Sequence, residues 1–103
     1  MRLRLAPRAQ IDFDEILDYL TTFASPAVAQ RYGREIQAAI NRLADSPGTG
    51  FPRPDLGLGT RAVIVYPYLI FYEEQADSRE VVVLRSSTGG ARLPGSLLRP
   101  PRP

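Results

Sequence analysis

Arg2 to Leu5 alternate polar and apolar side chains, the period of a short edge strand, and Ala6 and Pro7 end the pattern. Beyond Pro7 the period lengthens. Ala9, Phe13, Ile16, Leu17, Leu20 and Phe23 recur at spacings of three and four, which gathers them on one face of a helix whose first turn accepts Pro7. Asp12, Asp14, Glu15 and Asp18 occupy the rest of that surface and read as a solvated face near the positive helix end. Ser25 followed by Pro26 restarts the helical pattern, the serine as cap and the proline at the first helical position. The second helix carries Val28, Tyr32, Ile36, Ala39, Ile40 and Leu43 on one side and Arg31, Arg34, Glu35 and Arg42 on the other. It should end near Asp45, where the proline- and glycine-rich loop 47–59 follows. With so short a link, the two helices form an antiparallel hairpin.

From Arg61 the rhythm becomes that of strands. Pro67 lacks a donor for a ladder and marks a tight turn between two β-rich runs, and EEQADSRE supplies a second turn before a third strand, 80–85. Apolar residues fall at both parities: Val63, Val65, Leu69 and Phe71 are assigned to one face, Ile64, Ile70 and Val83 to the other. Strands apolar on both faces need cover on both. The order β-α-α-β-β-β predicts an α+β domain with the helical hairpin packed on one face of a small antiparallel sheet. Two helices cover one face, so the other is left for a partner.

Composition narrows the chemistry. A chain of 103 residues fits a single domain, placed at 1–93, with a Pro/Arg-rich tail, 94–103, expected to be partly disordered. There is neither cysteine nor histidine, which excludes thiol nucleophiles, disulfides, classical zinc sites and imidazole acid–base pairs; no metal or cofactor is implied. No run is long and apolar enough for a membrane span, and a cytoplasmic location is expected. The formal charge is only +2, yet all 13 basic residues are arginine, and Arg85, Arg92, Arg99 and Arg102 follow the last acidic residue, Glu80. Planar guanidinium groups suit phosphates and carboxylates, so this basic end could meet nucleic acid or an acidic partner; a coding bias toward arginine explains the missing lysine equally well. Arg61 has two readings, contact with a target or partner, and pairing with Asp55 or Glu73. Tyr66, Tyr68 and Tyr72 either stack on bases or pack within the strands with their hydroxyls at the rim.

These residues also form a family pattern. Pro7, Ala9, Asp14, Ile16 and Tyr19 are followed by Ile40, Leu43 and Pro47, then by Gly59, Arg61, Tyr68, Ile70 and Tyr72, by Val81, Val83, Leu84 and Arg85, and by Gly90, Ala91 and Arg92. Their order and spacing, over roughly residues 3–93, resemble the toxins of the RelE/ParE superfamily of type II toxin–antitoxin systems. The resemblance implies a growth-arresting toxin held in a hetero-oligomer by an antitoxin that wraps its sheet and helices. Tyr68, Ile70, Tyr72, Leu93 and Leu97 would then meet the antitoxin, and Arg61, Arg85 and Arg92 the target. RelE-like members cleave mRNA on the ribosome; ParE-like members inhibit DNA gyrase. A nuclease would place Arg61 and Arg85 on the phosphate, but it also needs acid–base groups. Ser87 and Thr88 stand where relatives often carry histidine, no lysine is present, and no tyrosine follows Tyr72. The expectation is therefore a ParE-like toxin that binds gyrase without catalysis and is neutralised by a ParD-like antitoxin. The alternatives are a RelE-like ribosome-dependent endoribonuclease and a degenerate toxin that retains only antitoxin binding.

Overall fold

The computed structural model describes residues 1–88. Arg92, Leu93, Leu97 and the tail 94–103 lie outside the described residues. The chain runs through β1 (Arg2–Leu5), α1 (Pro7–Phe23), α2 (Pro26–Asp45), a 3-10 turn (Pro47–Thr49), β2 (Phe51–Pro52), β3 (Thr60–Val65), β4 (Tyr68–Gln75) and β5 (Glu80–Thr88). Pro7 and Pro26 each open a helix, where a missing N–H costs nothing, and the Ser25 hydroxyl accepts from the Val28 amide at 3.1 Å.

The five strands lie in the order β1-β5-β4-β3-β2. The α+β arrangement expected from the chain is present, and its sheet is mixed: β3, β4 and β5 form an antiparallel meander, while β1 pairs parallel to β5. The helical hairpin separates β1 from the strands in sequence and lets it return beside the last of them. β5 is thereby flanked on both sides, and Val81, Val82 and Val83 are all buried, as a continuous apolar run requires. β2 is a two-residue strand inside the glycine-rich loop and carries no alternation long enough to signal it. β5 continues beyond Arg85 to Thr88 because β4 keeps pairing with it, past an irregularity at Phe71/Tyr72.

Register corrects the assignment of faces. Val63 stands opposite Ile70 and Val65 opposite Tyr68, so both valines lie on the helix side with Tyr72 and Val83. Ile64 stands opposite Leu69 and joins Phe71 on the open side. Parity of residue number does not carry across a hairpin; cross-strand pairing does. The core under the helices joins Ala9, Phe13, Ile36, Ile40 and Leu43 to Ile70, Tyr72, Val81 and Val83.

Two predictions follow from this packing. A methyl group on Gly33 would meet Leu17 Cδ2 at an ordinary 3.7 Å, so Gly33→Ala should raise stability by about 0.5–1 kcal/mol through helix propensity, read as a higher denaturant midpoint. Tyr68 is pushed above its ordinary pKa of 10.0 by burial and by the neighbouring Tyr32 and Tyr19. Above that pH the unfolded chain ionises first, so stability should fall as pH rises toward the folded-state value, and Tyr68→Phe should flatten the alkaline decline in Tm.

Candidate target-binding site

Three donors converge on one carboxylate. Asp12 lies on α1 at helical spacing from Ala9 and Ile16 and is only 5% exposed. Its Oδ1 is 3.2 Å from Arg8 Nε on the same helix, and its Oδ2 accepts from Arg85 Nε and from the Ser86 amide, both at 2.9 Å. β1 ends at Leu5 with the Ala6 amide donating to the Val83 carbonyl, so the outer edge of β5 beyond Val83 lacks a strand partner. Asp12 supplies the missing acceptor there. The solvated acidic face expected on α1 is thus corrected at this residue: the Ser86 amide and two guanidinium groups compensate burial of the charge. The Ser86 hydroxyl beside it is buried without a hydrogen-bond partner among the described residues.

A second latch fixes the loop between α2 and β3. Tyr72 is fully buried, and its hydroxyl donates to the Pro47 carbonyl at 2.6 Å while accepting from the Gly50 amide at 2.8 Å. Arg61 Nη1 donates to the Gly50 carbonyl at 2.7 Å. A side chain at Gly50 would collide with the Ala62 carbonyl at 2.5 Å and the Tyr72 hydroxyl at 2.8 Å, so only glycine fits. Arg61 therefore anchors the loop instead of pairing with Asp55 or Glu73; Asp55 is held by Arg53, at 2.9 and 2.8 Å. That exposed pair raises the Arg53 pKa and lowers the Asp55 pKa, chiefly through its hydrogen bond.

The candidate partner residues Tyr68, Ile70 and Tyr72 all point into the core. The open face of the sheet carries their neighbours instead. Phe51, Ala62, Phe71 and Arg85 stand in one cross-strand row, and Ile64, Leu69 and Ser87 in the next. Ile64 is 61% and Phe51 43% exposed, and Arg53 lies over the Phe71 ring at 5.5 Å. The opposite end of this face is polar, with Glu73, Gln75, Glu80, Arg2 and Arg4. Apolar side chains bordered by guanidinium groups make a surface for a macromolecule. The cleft of about 260 Å³ between α2 and β3 is lined by mostly apolar residues, Phe51 among them, with Thr49 and Arg42 as its polar side chains. It offers no acid–base pair. Among the described residues no group of acidic side chains could hold a metal ion.

The matches to known proteins agree with this architecture. A family model described as the ParE toxin of type II toxin-antitoxin systems, parDE, matches residues 3–86, from β1 into β5. The chain belongs to this family. A ParE-family relative, Toxin ParE1 of Caulobacter vibrioides, is 33% identical over 84 residues, a match that covers 82% of this chain and 88% of that protein. A solved structure described as a chromosomal ParDE TA system from P. aeruginosa has the same fold, with a TM-score of 0.71 and 22% identity over 85% of this chain and 95% of its own. The ParE-family match includes Asp12, Arg61 and Arg85 and stops short of Arg92, Leu93 and Leu97.

Proposed function

We propose that this ParE-type toxin arrests growth by binding DNA gyrase, without cutting RNA, and that a ParD-like antitoxin neutralises it by covering the open sheet face. The observation that carries the reading is the separation of Arg61 from Arg85. Arg61 stands opposite Tyr72 on the helix side and engages the Gly50 carbonyl, whereas Arg85 stands opposite Phe71 and engages Asp12. β4 lies between them, which puts the two backbones about 10 Å apart. Each guanidinium is engaged by a different protein group, and the sequence offers neither histidine nor lysine to move a proton.

Arg85 is the better placed contact, half-exposed and opposite Phe71 on the open face, and Arg92, outside the described residues, is the second arginine assigned to the target. Phe51, Ile64, Leu69 and Phe71 take the antitoxin role in place of the buried β4 residues, and Leu93 and Leu97, outside the described residues, keep the antitoxin role that the family resemblance implies. Both partners lie in the cytoplasm, and among the described residues no helix is long and apolar enough to cross a membrane. Induced expression tests the reading. Accumulation of gyrase-cleaved DNA with unchanged transcript ends is expected; new codon-linked transcript ends without DNA cleavage would establish the RelE-like alternative, and normal growth would establish a degenerate toxin.

A further inference from the structure

The buried carboxylate on α1 has a role beyond joining helix to sheet. Asp12 holds Arg85 through Nε at 2.9 Å, and neither Nη1 nor Nη2 of Arg85 has a partner among the described residues. The Arg85 side chain remains 52% exposed while Asp12 is 5% exposed. The guanidinium is thus gripped from the protein side by one edge and free at the other. Because the group is planar, fixing Nε fixes the direction of the two terminal nitrogens. The grip itself is rigid, since the same Oδ2 accepts the Ser86 amide at 2.9 Å and Oδ1 is braced by Arg8 Nε at 3.2 Å.

We infer that Asp12 is a positioning residue for target recognition: it orients Arg85 so that Nη1 and Nη2 present a paired donor edge to a carboxylate or phosphate on the target. This rests on Arg85 contacting the target, as proposed above, and does not depend on the target being gyrase. Preorganisation lowers the entropy lost when Arg85 binds, and a bidentate contact needs both terminal nitrogens aimed together. Lysine cannot replace arginine here. Its single ammonium either stays with Asp12 or reaches outward, whereas arginine does both at once.

The test combines growth arrest with NMR of the arginine side chain. In the wild-type chain the Arg85 Nε–H should give a protected resonance, and Asp12→Asn, which keeps one oxygen for the Ser86 amide but removes the charge and turns an amide NH2 toward Arg8, should weaken that protection. The inducer level needed for half-maximal arrest should rise about tenfold in Asp12→Asn, Arg85→Ala and Arg85→Lys, the scale of one charge-assisted contact. The Asp12→Asn/Arg85→Ala double variant should be no weaker than Arg85→Ala, because Asp12 acts through Arg85. A merely structural Asp12 would instead give additive losses that follow Tm. Additivity, full arrest by Arg85→Lys, or full arrest by Asp12→Asn with weakened Nε–H protection would each overturn the inference. A wild-type chain that does not arrest growth would overturn the toxin reading itself, which separates the two failures.

Discussion

Tyr72→Ala is expected to destabilise the domain by about 4–8 kcal/mol, enough to unfold a domain at the low end of the ordinary stability range of about 5–15 kcal/mol. The loss has two parts. Removing a fully buried ring opens a cavity among Ile40, Leu43, Ile70 and Val83, at a cost of about 3–5 kcal/mol for an aromatic residue. Removing the hydroxyl also strips the Gly50 amide of its acceptor and the Pro47 carbonyl of a donor. Tyr72→Phe isolates that second part and should cost about 1–3 kcal/mol. Denaturant unfolding of both variants checks the division; a Tyr72→Phe protein as stable as wild type would show that the loop finds other partners.

Asp12→Ala should cost about 2–3 kcal/mol. Arg8 and Arg85 have half-exposed side chains and can recover water when released, so their lost attraction to Asp12 is discounted. The buried Ser86 amide cannot recover water so easily, and it carries most of the cost. Amide hydrogen exchange reads this locally. Ser86 should exchange slowly in the wild-type chain and much faster in Asp12→Ala, with Val81 and Val83 less affected because β1 and β4 still pair with β5. Unchanged protection at Ser86 would contradict the assignment of Asp12 as the acceptor that closes this edge.

The helices were legible because each begins with a proline in its first turn and carries a stripe of period three to four; α2 ends at Asp45, as the loop composition indicated. The tight turn at Pro67 and the three-strand meander were legible for similar reasons. Register was not. Val63, Ile64, Val65, Leu69 and Ile70 are interchangeable in hydrophobicity, and pairing across the hairpin alone decides which of them face the helices. That ambiguity placed Tyr68, Ile70 and Tyr72 on the partner surface, while the structure buries them and exposes Ile64. Asp12 did leave a trace in the sequence. It occupies the buried stripe, three residues after Ala9 and four before Ile16, but its acidic neighbours Asp14, Glu15 and Asp18 made it resemble one of a solvated group. The partners of Arg61 and Arg85 could not be read at all, because Gly50 and Asp12 are distant in sequence and meet them only through the fold.

The most direct measurement is a supercoiling reaction with purified gyrase, the purified chain and its antitoxin added in turn. The chain should suppress supercoiling and leave broken DNA on denaturation, Arg85→Ala should do so far less well, and the antitoxin should restore activity. Full supercoiling in the presence of a chain that still arrests growth would contradict gyrase as the target.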